Sequence, residues 1–236
     1  MSVPAMEAAE NGCGTASAGS TPARANPKGV IWVQAPVLSP CLDLRSALLT
    51  VTQAGAAFVP DAVPEEGLSA IRQDLAPAAF RKLPEYEGVA RQEGEVCVLD
   101  AGSSGYPAIR RLRGELAAAV HAASAGITGL ASWDPSEISI QRYHTGAAGI
   151  TAHLDLKRYR FLVAIVTIEG TAAFTLCKNR NGDPAVTWQA NQGSLVLLRG
   201  PGLAGTADGR PLHAVKGPAT GQRISIGFRM DATAAA

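Results

Sequence analysis

The stretch Tyr159-Arg160-Phe161-Leu162-Val163-Ala164-Ile165-Val166-Thr167-Ile168 is apolar on both parities of an extended chain. Phe161, Val163 and Ile165 fall on one face, and Leu162, Ala164 and Val166 on the other. A strand of this kind is covered on both sides. Around it lie further short β runs separated by turn residues, at 137–143, 150–155, 171–176, 185–189, 194–198, 211–215 and 222–229. The segment Asn179-Arg180-Asn181-Gly182-Asp183-Pro184 is rich in residues that tolerate positive φ, so it joins two of these strands. Several strands at short, regular intervals predict a sandwich or barrel.

Upstream the pattern is different. Residues 55–60, Gly-Ala-Ala-Phe-Val-Pro, read as a short strand, and an earlier apolar run begins near Val30-Ile31-Trp32-Val33. A helix is predicted over 64–77, where Pro64 suits the first turn, Glu65 and Glu66 suit its positive end, and Leu68, Ile71 and Leu75 recur at helical spacing. A second covers 107–124, with Ile109, Leu112, Leu116, Val120 and Ala123 on one face and Arg110, Arg111 and Arg113 on its solvated side. The expected fold is therefore mostly β with flanking helices. Helical support over about 29–135 packs on a double-sheet jelly roll of the cupin type, a double-stranded β-helix, over about 136–230. Residues 29–236 form one domain in this reading. Residues 1–28 are mostly Ala, Gly, Ser, Thr, Pro and Asn and bury too little to order themselves, which predicts a flexible tail.

Composition narrows the function classes. At 236 residues and 47% hydrophobic content, the chain can bury one sizeable core. Twenty-one basic against 20 acidic residues give a net charge of +1, so there is no global electrostatic pull toward nucleic acid or membrane. No segment reaches the ~18 consecutive apolar residues of a membrane span, and Glu7 and Glu10 interrupt the N-terminal region where a signal sequence would be apolar. Cys13, Cys41, Cys97 and Cys177 are scattered without a C-x-x-C pair. They read as free thiols, and the expectation is a soluble, cytoplasmic protein.

The chemistry concentrates in three places. His153-Leu154-Asp155 puts an imidazole and a carboxylate on one face of an extended segment, and His213, 58 residues after Asp155, can complete a facial triad. Two His and one carboxylate leave half an octahedral shell open, the ligand set of non-haem Fe(II) oxygenases. The closing strand Arg223-Ile224-Ser225-Ile226-Gly227-Phe228-Arg229 places Ile224, Ile226 and Phe228 on one face and Arg223, Ser225, Gly227 and Arg229 on the other. If the polar face lines a cavity, its guanidinium groups need an anion, and their forked donors match a carboxylate. In Gln141-Arg142-Tyr143, the amide and the phenol share a face.

Taken together, Gln141-x-Tyr143, His153-x-Asp155, His213 and Arg223-x-Ser225-x-x-x-Arg229 resemble the Fe(II)/2-oxoglutarate oxygenases, and within them the AlkB-like branch. The resemblance covers the run from Gln141 to Arg229. It implies that His153, Asp155 and His213 bind iron. It also implies that Arg223, with Tyr143 and Ser225, holds the far carboxylate of 2-oxoglutarate, with Arg229 and Gln141 near its other end. Gln141 and Ser225 stand where that branch carries Asn. O₂ is the remaining co-substrate, and succinate and CO₂ are released.

Three readings compete. The leading one is a dioxygenase that hydroxylates a C–H bond of a small molecule. The AlkB-like alternative is an oxidative dealkylase of nucleic acid or nucleotides, which neutral charge and 5% aromatics do not favour. The third, a cupin-like binding module or metal-dependent hydrolase, has no use for a closing arginine strand. Lys157 and Arg158, beside Arg160 just past the triad, are candidates to meet an acidic substrate, and Trp133, in the loop before the barrel, is a candidate pocket wall. His144 is expected to face away from the site, His121 to be a surface residue, and the Gly-rich segment 199–210 to form a flexible loop at the site mouth.

Overall fold

In the computed structural model, the described residues are 35–87, 90–100 and 105–234. The tail predicted for 1–28 and the apolar run at Val30–Val33 lie outside them. Two antiparallel sheets face each other, and the strands of the C-terminal half alternate between them except at the β9–β10 hairpin, which stays in the smaller sheet. Three helices and five strands come first: α1 (Leu44–Ala54), β1 (Ala56–Val59), α2 (Glu65–Leu75), β2 (Arg81–Lys82), β3 (Tyr86–Glu87), β4 (Ala90–Glu93), β5 (Glu95–Asp100) and α3 (Pro107–Ala122). The jelly roll follows as β6 (Glu137–His144), β7 (Gly149–His153), β8 (Tyr159–Glu169), β9 (Thr171–Cys177), β10 (Pro184–Asn191), β11 (Leu195–Arg199), β12 (His213–Lys216) and β13 (Gln222–Asp231).

The larger sheet runs β1-β11-β8-β13-β6-β5-β2 and the smaller β10-β9-β12-β7-β4-β3. All eight predicted C-terminal strands are present. In the N-terminal half the strand expected at 55–60 is present as β1, and the four strands β2 to β5, which were not expected, also extend the two sheets. Helix α1 was not anticipated either. It is capped locally: the Asp43 carboxylate accepts from the Ser46 amide at 3.1 Å, and Gly55, at φ +84°, closes it by donating to the Val51 carbonyl.

The two parities of β8 serve two cores. Leu162, Ala164 and Val166 join Ile224, Ile226 and Phe228 of β13 and Ile109, Leu112 and Leu116 of α3 in a layer between sheet and helices. Val163 faces the other way, with Phe174, Val196, Leu198 and Val215, between the two sheets. Helix α3 is held from both sides. Asp74, from α2, accepts from the amides of Ala108 at 2.7 Å and Ile109 at 3.0 Å, satisfying donors a helix start leaves open. Glu115 accepts from the amides of Val37 and Leu38, both at 2.8 Å. Cys97 and Cys177 are free thiols. No helix among the described residues is long and apolar enough to cross a membrane.

Candidate active site

The inward face of the larger sheet carries two facing rows. Along β6 they are Glu137, Ser139, Gln141 and Tyr143, and opposite them on β13 stand Arg229, Gly227, Ser225 and Arg223. The smaller sheet faces these rows with its histidines. His153 and His213 are direct cross-strand partners of β7 and β12, with ring centroids 4.3 Å apart. The sequence expectation that Asp155 shares a strand with His153 is corrected here: β7 stops at His153, and residues 154–156 run on without ladder partners. The chain past β7 is held instead by Arg210, whose Nη1 donates to the Asp155 backbone carbonyl. One ligating atom from each of His153, Asp155 and His213 lies within 4.8 Å of the others, a group suited to hold a metal ion.

Each histidine is oriented by its own chain. His153 Nδ1 lies 2.9 Å from the Thr151 carbonyl and His213 Nδ1 lies 3.1 Å from the Pro211 carbonyl. A carbonyl only accepts, so each Nδ1 carries the proton and each Nε2 presents its lone pair, as a metal ligand must. Burial, with His213 and Arg229 nearby, outweighs Asp155 and the Thr151 carbonyl and pushes the His153 pKa down to about 4. His213 stacks on Phe174 at 5.3 Å and 7°, and Trp188 stacks behind Phe174 at 6.3 Å. That column fixes the ring plane.

Asp155 sits between an imidazole and a guanidinium. Its Oδ2 is 3.8 Å from His213 Nε2 and its Oδ1 is 3.8 Å from Arg229 Nε. Burial alone would raise its pKa, but His213, Arg229, His153 and Arg210 together hold the carboxyl below its ordinary value. It is ionised and ready to ligate. Arg229 also lies 3.7 Å from Glu137. Its guanidinium folds back over Gly227, where a Cβ would come within 2.6 Å of Nη1. Only glycine leaves that berth.

Arg223 is different. It is 1% exposed, and its partners are hydroxyls: Ser225 Oγ at 3.0 Å and Thr167 Oγ1 at 3.4 Å. Arg223 Nε and the Tyr143 hydroxyl, both buried, have no hydrogen-bond partner. Burial lowers the Arg223 pKa and raises that of Tyr143. A buried guanidinium without a carboxylate is costly unless an anion completes it. The donor set fits a carboxylate.

A cavity of about 550 Å³ opens over the triad, lined among others by Gln141, Ser139, Glu137, Asp155, Arg229 and Arg210. Arg223 and Tyr143 lie one inward pair deeper than Ser225 and Gln141. Lys157 and Arg158 line the cavity as expected. Trp133 does not. It is fully buried in the helix-side core and donates from Nε1 to the Leu162 carbonyl at 2.7 Å, because a bulky indole with a satisfied N–H packs best inside. His144 bonds Glu95 at 3.0 Å, away from the site, and His121 meets the Trp133 carbonyl at 2.8 Å. The segment 199–210 is pinned rather than loose, with Leu203 buried, Gly202 donating to the Thr206 carbonyl and Ala204 donating to the Thr128 carbonyl.

Sequence reasoning missed Thr167, Glu137 and Arg210. Thr167 was visible as the lone polar side chain in residues 161–168. Glu137 was the acid facing Arg229 across two strands, which only register reveals. Arg210 had no signal of its own. Asp208 grips it through two bonds of 2.8 Å, and that contact holds the Asp208 carboxyl far below the usual range.

No protein-family profile matches the chain, and no curated protein does. Solved structures do. A prolyl-4-hydroxylase from Pseudomonas putida superposes with a TM-score of 0.56 at 18% identity, covering 80% of this chain and 98% of that one. A prolyl hydroxylase from Trichoplax adhaerens, solved with a hypoxia inducible factor peptide fragment, gives 0.57 at 16% identity, over 80% and 89%. An oxidoreductase of the 2OG-Fe(II) oxygenase family from Burkholderia pseudomallei gives 0.55 at 12% identity, over 84% and 96%. The chain has the double-stranded β-helix fold of the 2-oxoglutarate–Fe(II) oxygenases. The AlkB-like branch expected from the closing arginine strand is not among these neighbours.

Proposed function

We propose that this chain is an Fe(II)/2-oxoglutarate-dependent dioxygenase that hydroxylates a C–H bond of a small molecule and releases succinate and CO₂. The observation that carries this is the pairing of a His-Asp-His cluster with a buried arginine that has hydroxyl partners and, among the described residues, no acid. His153, Asp155 and His213 would hold the iron. Arg223 would receive the far carboxylate of 2-oxoglutarate, with Tyr143, Ser225 and Thr167 adding hydroxyls, and Gln141 and Arg229 would lie toward its other end. When bound, iron, 2-oxoglutarate and O₂ together supply the oxidising chemistry. The protein's part is to keep both imidazoles neutral and Asp155 ionised, to anchor the co-substrate, and to aim the substrate bond from the cavity.

The AlkB-like alternative, dealkylation of nucleic acid or a nucleotide, draws on the Gln141-x-Tyr143 pair and the closing arginines. Against it, Tyr159 supplies the cavity's aromatic wall alone among the described residues, where a flipped base stacks between several. Succinate release on methylated oligonucleotides, with binding that weakens steeply with salt, would promote it.

The test is anaerobic addition of Fe(II) and 2-oxoglutarate. A visible charge-transfer band is expected in the wild type and absent from an Asp155→Ala variant. A colourless wild-type titration would overturn the proposal.

A further inference from the structure

The cavity wall is strongly one-signed. Its acids are Glu137 and Asp155, and both are engaged by Arg229, at 3.7 and 3.8 Å. Arg158 is paired with Asp231 at 2.7 Å, and Arg210 with Asp208 at 2.8 Å. Three further lining cations, Arg81, Lys157 and Arg180, are exposed, and their side chains make no ion pair or hydrogen bond among the described residues. They come from three separate places: strand β2, the segment just past the triad, and the turn between β9 and β10. A cleft lined by one sign of charge focuses its field and draws the opposite charge.

Apolar surface lies beside them. Val98 is 50% exposed and Leu156 41% exposed, unusual for residues of their kind, and both line the same cavity. Leu83, Val96, Ile150 and Leu154 continue this lining. At about 550 Å³ the space is that of a single small-molecule ligand.

We propose that the substrate is an amphipathic small acid, an apolar body bearing an anionic group. The body lies against Val98 and Leu156, and Arg81, Lys157 and Arg180 meet the charge at the rim. This deepens the oxygenase reading and rests on it for the reaction, while the binding preference can be measured without turnover.

The full chain is loaded with Mn(II) and saturating 2-oxoglutarate without oxygen, so that Arg223 is already occupied, and titrated calorimetrically with octanoate, octanamide and octylamine. Octanoate is expected to bind more tightly than octanamide by about tenfold or more, the size of one or two charge-assisted contacts, and octylamine more weakly than both. In the variant combining Arg81→Ser, Lys157→Ser and Arg180→Ser, the preference should fall to about one while octanamide binding is retained. The charge-preserving set Arg81→Lys, Lys157→Arg and Arg180→Lys should keep it. Equal binding of octanoate and octanamide by the wild type, or a preference that survives the triple Ser variant, overturns the proposal. The iron–2-oxoglutarate band, recorded on the same preparations, separates the two ideas. A band without anion preference retires this site alone, whereas anion preference without a band supports it and retires the oxygenase.

Discussion

Two arginines on one face of one strand, six residues apart, sit in opposite electrostatic settings. Arg229 lies among acids, with Glu137 and Asp155 both within 4 Å. Arg223 is even more hidden from water, and among the described residues its hydrogen-bond partners are two hydroxyls. The difference teaches that burial alone does not tell what a charge is for. Arg229 is already balanced within the fold, so it can serve structure and site at once. Arg223 meets no carboxylate among the described residues, which is the ground for proposing it as the receptor of an anion from outside.

The contrast can be broken by substitution. The largest effect is expected from Asp155→Ala, which removes a metal ligand and one of Arg229's two acids together. Bound iron, measured by metal analysis, and succinate release should both be lost. Next come the arginines themselves. Arg223→Met should raise the 2-oxoglutarate requirement by about 100-fold or more, since a buried charge-assisted anchor is gone. The ligand-free variant should melt no lower than the wild type, because no acid is left stranded. Arg229→Met should do the reverse in the metal-free protein, costing about 1–3 kcal/mol in denaturant titration by leaving buried carboxylates undercompensated. If both variants lose the same stability, the distinction between them fails.

Gly227→Ala sharpens the comparison further. A methyl there meets the Arg229 guanidinium but not that of Arg223. It should weaken iron retention by a smaller factor than Asp155→Ala and leave the 2-oxoglutarate requirement near wild type, as a saturation curve would show. The smallest effect is one of pH. His153 titrates near 4 in the folded chain against about 6.5 when unfolded. Its folded pKa is depressed, so the unfolded state binds the proton first as pH falls. The metal-free protein should therefore lose stability between about pH 6.5 and 4, and be insensitive to this group above that window. Denaturation midpoints at pH 7 and 5 should differ less in His153→Gln than in the wild type.

Much of the jelly roll was legible because its strands declare themselves by parity. The double apolar row of 161–168 fixes β8 as a central strand, and the alternation of 223–229 separates a core face from a site face without any coordinates. The grouping of His153, Asp155 and His213 was legible from residue type and spacing, whereas the cross-strand pairing of the two histidines was not. What stayed hidden depends on register and reach. Strands β4 and β5 carry Arg91, Gln92, Glu93 and Glu95, too polar for an apolar-run search, yet their ladder partners make them strands. Trp133 was misplaced because an indole fits a pocket wall and a core equally well until its N–H finds the Leu162 carbonyl. Arg210 was invisible because it acts on a main-chain carbonyl 55 residues away, which no side-chain pattern encodes.

The histidine tethers have a consequence for how tolerant this centre is to change. Each imidazole borrows its orienting acceptor from the residue two places earlier in the chain, not from a distant acid or amide. Tautomer choice is thus written into a tripeptide of backbone, and it travels with that tripeptide. Grafting of residues 151–153 and 211–213 together onto another jelly roll leaves both lone pairs pointing where they do now.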